Sequence, residues 1–293
     1  MMNAIHDLPL LVARDEGYFR DEGLEVEILK TPGSGQRNSD HQALRSNIFD
    51  RTMETLYDQG ACDQFRMCEW GVMKRAVESN LGAGHHRPAK IVALGSAMSS
   101  FALVTAPKSR LYEPEQLKDK PIAVSPFNGS HFTTLKLLEG FLKREQIKTT
   151  FAGTMKERLE AVAKGEVAAA SLMEPWISIA EKRGLRVLME SHSTRSEAAG
   201  DELDGPTLAK MFRAEAAAAD TIQRDPGKYA HYFVDEAGGL LEAKDLKLER
   251  ILNAPPEPYT RERFDHTYQW TLGWGLVPAG ATYDNTVDNR AWQ

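Results

Sequence analysis

Residues 10–28 read LLVARDEGYFRDEGLEVEI, and the reading of this stretch decides the fold. A short helix is predicted over Leu8 to Ala13, and Asp15-Glu16-Gly17-Tyr18-Phe19 breaks it at the glycine. After Gly23 comes Leu24-Glu25-Val26-Glu27-Ile28, where apolar and acidic residues alternate. A period of two is the pattern of a strand with one buried face. The glycine-rich turn Thr31-Pro32-Gly33-Ser34-Gly35 follows, and strands that end in such turns often do so beside a ligand. Helix, glycine, strand and turn together make one α/β unit.

Working outward, residues 36–60 are polar and read as helical, closing at Gly60. Cys62 to Trp70 reads as an extended segment ending in Gly71, before a helix from Val72 to Glu78. Residues 82–88 form a loop, and Ile91–Leu94 and Phe101–Thr105 read as two separate strands. Leu111 to Leu117 begins a short polar helix of the kind that connects domains. A second α/β unit opens with the buried-type strand Pro121–Ser125 and runs through Asn128-Gly129-Ser130-His131 into a helix from Phe132 to Lys143. A helix from Lys156 to Lys164, an Ala-rich strand Val167–Leu172, a helix to Arg183 and a strand Gly184–Leu188 follow. From Pro206 onward the chain reads as mostly helical, with Leu208 to Gln223 the strongest case and Asp225-Pro226 its stop. Strands alternating with helices predict parallel sheets in two lobes.

The chain has 293 residues, enough for about two domains. Apolar residues make up 42% and charged residues 27%, which excludes the disordered, fibrous and disulfide-rich classes. The net charge of −6 is the wrong sign for a nucleic-acid partner or an anionic membrane surface. Two cysteines, Cys62 and Cys68, make neither a disulfide framework nor a zinc site by themselves. No stretch reaches the ~18 apolar residues of a membrane helix, so no membrane insertion is expected. Residues 1–19 lack a signal-peptide pattern, so the chain as written is expected in the cytoplasm; a start further upstream would make it periplasmic.

Three passages resemble the type II solute-binding proteins, and more narrowly the group that binds sulfonates, taurine and thiamine pyrimidine precursors. They are Leu10–Phe19 with Glu22–Val26, then Lys120–Ser125 through Gly129-Ser130-His131, then Gly165–Ala170 with Met173-Glu174-Pro175-Trp176. The resemblance covers roughly residues 8–190 and implies two α/β lobes joined by two crossovers, a ligand in the cleft, and a helical C-terminal region. It divides the chain into residues 1–105 of the first lobe, 106–190 of the second, and 191–293 returning to the first, with crossovers near 104–107 and 190–195. Family members also begin with a central strand for which only Met1 to Ile5 are available here.

Candidate site residues follow from strand ends, where doubly wound sheets hold ligands. Ser125 ends one strand, and Asn128, Gly129, Ser130, His131 and Thr133 start the next helix. Small polar residues there expose backbone N–H groups at the positive helix end and suit a carboxylate, sulfonate or phosphate. The alternative is that Asn128 or Ser130 merely caps the helix. Cys68, Glu69 and Trp70 end an earlier strand, where an acid beside an indole suits a cation or a ring bearing an amine. The alternative is a buried thiol and a wall-filling tryptophan. Glu174 and Trp176 flank Pro175 and either face the cleft or simply start a helix. The resemblance puts His6 and Asp7 in a loop facing the cleft. The remaining histidines show no metal-ligand spacing and no nucleotide motif is present, so neither metal nor cofactor is expected.

Two functions compete. The first is a substrate-binding protein that delivers a small organic anion, sulfonate or zwitterion to the permease of an ABC-type transporter. The second is a soluble enzyme on the same fold, a decarboxylase, desulfinase or other lyase or hydrolase acting on a small acid.

Overall fold

The first helix is longer than its apolar run. In the computed structural model, which describes residues 4–29, 53–82 and 86–293, α1 spans Ala4–Asp15. Ile5, Leu8 and Val12 recur at helical spacing and are buried, so the helix lies inside the molecule. Gly17 takes a φ of 87° between α1 and the single turn α2 (Tyr18–Asp21), a conformation that only glycine adopts without strain. Ala4 and Ile5 thus belong to a helix, and no strand precedes α1 among the described residues.

Leu24–Ile28 corrects the second expectation. The segment is extended and its alternation is real: Glu25 and Glu27 are exposed while Leu24, Val26 and Ile28 are half-buried. It forms no ladder among the described residues. A period of two reports which face is buried, and says nothing of a partner strand. The glycine turn at 31–35 and most of the helix expected over 36–60 lie outside the described residues; from that helix, α3 (Met53–Asp58) is described.

The seven-stranded sheet runs β1-β6-β2-β5-β3-β4, with β7 also on β2. Its axis is β2 (Lys90–Thr105), one strand where two were expected. Gly95 to Ser100, between the two expected strands, are held extended by pairing to β6 (Arg186–Ala199) and β7 (Ile251–Asn253). Irregularities between Leu94 and Met98 absorb the bend. β2 and β6 run antiparallel from the Lys90–Ala199 pair to the Thr105–Arg186 pair. β1 (Gln64–Cys68) adds to β6, also antiparallel. Parallel pairing is confined, among the named strands, to β3 (Pro121–Val124) with β4 (Lys148–Phe151) and with β5 (Ala169–Met173). β4 is an edge strand that the sequence reading missed.

Helices cover both faces. α4 (Glu69–Asn80) starts where β1 ends. α5 (Gly129–Leu138) and α6 (Met155–Lys164) pack on the parallel strands, α6 with a Thr154–Glu157 capping box and Gly165 at its end. α7 (Trp176–Lys182) follows β5, and the connector expected over 111–117 is a 3₁₀ turn at Pro114–Leu117. α8 (Gly205–Arg224) is the longest, capped by Asp204 and stopped before Pro226 as expected. α9 (Ala230–Ala237), α10 (Arg261–Gly273) and α11 (Tyr283–Thr286) complete the chain.

One apolar cluster joins α1, α6, α8 and α9 through the middle of β2, where Phe101 is 2% exposed and pairs with Met173 of β5 and Ser191 of β6. Truncating that ring leaves a cavity that so many packed elements cannot close. Phe101→Ala should therefore cost about 3–5 kcal/mol in urea unfolding, the usual range for a buried phenylalanine. A loss below about 1 kcal/mol would show that the strand crossing is not a packing centre.

Candidate functional site

Four of the predicted segments meet at Phe101. The His6 ring centroid lies 6.4 Å from that of Phe101. A Cβ placed on Gly129 would stand 2.9 Å from the Phe101 ring and 3.5 Å from Cβ of Cys68, so only glycine fits at that helix start. Met173, beside Glu174, is the ladder partner of Phe101. Trp70 lies 6.3 Å from Phe132 and 5.5 Å from Trp270, ring centre to ring centre.

Several of these residues are committed to structure. Glu69, the first residue of α4, is 3% exposed and receives hydrogen bonds from Tyr259 Oη at 2.7 Å, Thr267 Oγ1 at 2.6 Å, Thr194 Oγ1 at 2.7 Å and Arg263 Nε at 2.7 Å. Burial pushes its carboxyl up, yet Arg263 and the hydroxyls hold it below its ordinary value. Both carboxylate oxygens are thus engaged by neighbouring side chains. Glu174 is likewise closed off, accepting from Ser178 N at 3.2 Å, Ser178 Oγ at 3.0 Å and Arg250 Nη1 at 3.1 Å. Trp176 packs against the core cluster, and the Glu236 carboxyl accepts from the backbone N–H of Ala4 at 2.7 Å.

The segment from Ser125 to His131 is capped from within. Asn128 Oδ1 accepts from Ser130 N at 3.1 Å and from Ser130 Oγ at 2.8 Å, while Ser130 Oγ accepts from Ser125 N at 2.9 Å. His131 Nδ1 accepts from Phe127 N at 3.2 Å, and burial lowers its pKa to about 4. Asn128 is thus the N-cap of α5, and the Ser130 hydroxyl ties that cap to the end of β3. Thr133 is 1% exposed and its hydroxyl has no hydrogen-bond partner. Burial pushes the Cys68 thiol up to about 11, so it stays protonated.

Beside this meeting point lies a cavity of about 500 Å³ beneath α1, lined by His6, Asp7, Gln64, Arg66, Arg195 and Glu197 among others. Arg66, Arg195 and Glu197 were missed. Their signal was the same period of two used elsewhere: Gln64, Arg66 and Cys68 face one side of β1, and Arg66 pairs with Glu197 and Cys68 with Arg195 across the ladder. Seeing it required knowing that β1 and β6 are partners. Arg66 is 4% exposed, lies 2.7 Å from Glu197 and 3.1 Å from Glu215 of α8, and donates to Ser96 at 3.3 Å. Burial raises the Glu215 carboxyl. Arg195 is 3% exposed and donates from Nη2 to the Arg66 carbonyl at 3.1 Å. Burial lowers its pKa and Asp7 opposes this. His6 is half-buried, and desolvation, followed by the charges of Arg195 and Arg66, holds its imidazole well below the ordinary value.

The fold is that of the type II periplasmic binding proteins. Residues 5–43 match the family described as NMT1/THI5 like. Among solved structures, the alkanesulfonate-binding protein SsuA from Xanthomonas axonopodis pv. citri, bound to MOPS, is 17% identical with a TM-score of 0.67, over 94% of this chain and 92% of that one. The nitrate-binding protein NrtA from Synechocystis PCC 6803 is 14% identical with a TM-score of 0.69, over 97% and 84%. The desulfurization enzyme DSZB is 13% identical with a TM-score of 0.62, over 97% and 94%. A search of curated protein sequences finds no match. No helix among the described residues is long and apolar enough to cross a membrane.

Glu236 offers a test of this region by pH. Burial raises its carboxyl from an ordinary 4.5 to about 7, so between those values the folded state keeps a proton that the unfolded chain has lost. Its contribution to stability therefore falls as pH rises through this window. The stability of Glu236→Gln relative to the parent should climb from about pH 4.5 to about pH 7 and then level off, measured by urea midpoints. A flat difference would mean that Glu236 titrates normally.

Proposed function

We propose that this chain is a substrate-binding protein that holds a small organic anion, sulfonate or zwitterion between two lobes and presents it to the permease of an ABC-type transporter. The lobes would be residues 1–105 with 191–293, and residues 106–190, closing about the β2–β6 pair. Ligand contacts would come from His6, Asp7, Trp70, Gly129 and Thr133, which surround the strand crossing or line the cavity beside it. Binding energy then goes into closure, a hinge motion.

The observation that carries this reading over an enzyme is the state of the reactive groups. Burial pushes the Cys68 thiol up to about 11, which keeps it protonated. A nucleophilic cysteine needs the thiolate, favoured by neighbouring positive charge and some exposure. Glu69 and Glu174 are locked by Arg263 and Arg250 and are unsuited to moving protons. The likeness to SsuA and NrtA supports the same reading, while DSZB, a desulfurization enzyme of this fold, keeps the catalytic alternative in view.

The test is a thermal-shift panel of carboxylates, sulfonates and zwitterions, followed by incubation with the best stabiliser and mass spectrometry of the recovered compound. Unaltered ligand is expected. Cys68→Ala should leave its affinity within about threefold, whereas Thr133→Val, if that hydroxyl donates to a charged ligand group, should weaken it by about 1.5–3 kcal/mol. A product that forms with the parent protein and vanishes in Cys68→Ala would replace transport with catalysis.

A further inference from the structure

The cavity beneath α1 holds the least compensated charge described above. Arg195 forms no ion pair among the described residues, and its Nε has no hydrogen-bond partner. Nε and Nη1 of Arg66, on the adjoining strand, are also without partners. A guanidinium keeps its charge when buried and offers five donors in a planar fork. Such a group is normally met by carboxylates inside a protein. Arg250 shows what that looks like here: Glu174, Glu181 and Glu190 all lie within 3.1 Å of it. Arg195 has no such set.

The surroundings account for the remaining charges. Glu197 of β6 and Glu215 of α8 both engage Arg66, and Asp7 of α1 supplies the main opposing field on Arg195. The neutral imidazole of His6 lines the same wall. The three unpartnered nitrogens belong to side chains that line one cavity of about 500 Å³, room for a small organic molecule.

We propose that Arg195 and Arg66 form a buried oxyanion subsite in the floor of this cavity, taking the carboxylate or sulfonate end of a small organic acid. A planar fork matches the paired oxygens of such a group, which monatomic anions lack. The inference rests on the binding-protein reading and adds to it the residues that grip the charge, none of which the sequence reading had singled out.

Propionate and ethanesulfonate are the probes, with ethylammonium as the cationic control, in calorimetric titration of the full chain. Both anions should bind and ethylammonium should not. Arg195→Met should weaken binding tenfold or more, and Arg195→Lys, which keeps the charge but loses the fork, should fall between. Because a buried arginine variant can fail to fold, a second readout uses the parent protein. Cys62 lines the same cavity as a free, half-buried thiol, so its labelling by a small thiol reagent, followed by peptide mass, should slow several-fold when either anion is bound. Equal affinity in Arg195→Met, or binding that leaves Cys62 labelling unchanged, would overturn the subsite while leaving the binding-protein reading intact. Failure of both anions to bind also overturns it, and the wider panel then decides the binding-protein reading separately.

Discussion

The antiparallel pairing of β2 with β6 is the constraint on which the rest depends. It joins residues about a hundred positions apart along the chain, and every other strand is placed by it. β1 and β7 take their positions on one end, and β5 leads on to β3 and β4 at the other. Backbone hydrogen bonds along such a ladder leave few ways for the two ends to move except by twisting about it. Phe101 sits where β2, β5 and β6 meet, so the packing of α1 against the sheet and the start of α5 are set by one ring.

Buried charge is the second organising feature. Glu69 draws Arg263, Thr267 and Tyr259 of the C-terminal region onto the start of α4, and Arg250 draws three carboxylates together. Both are closed networks whose members satisfy one another, and their role is to fix where distant segments dock. The Arg66–Arg195 pair is open by comparison, with unpartnered nitrogens on two side chains that line a cavity. That difference in compensation, rather than residue type, is what sets the Arg66–Arg195 pair apart from the other buried charges described here.

Much of the fold was legible before the structure. The helix at α8 was legible from Leu208 to Gln223 with its stop at Asp225-Pro226, and the second α/β unit from Pro121–Ser125 and Gly165. The period of two at Leu24–Ile28 correctly marked a one-sided burial, yet it could not say whether a partner strand was present. Gly95 to Ser100 carry little apolar signal, so one strand read as two, and their partners on β6 and β7 are what make it continuous.

The site was less legible, for a related reason. Acidic residues beside tryptophan or proline, such as Glu69 and Glu174, look free in a sequence because their arginines are 194 and 76 positions away. Arg66 and Arg195 look ordinary for the same reason, since being buried without a counter-ion is a property of the packed interior. The sequence by itself determined the fold class and most of the helices, because periodicity, caps and glycines act over a few residues. Tertiary structure alone decided which charges are satisfied and which are left facing a cavity, because that depends on pairings between strands far apart in the chain.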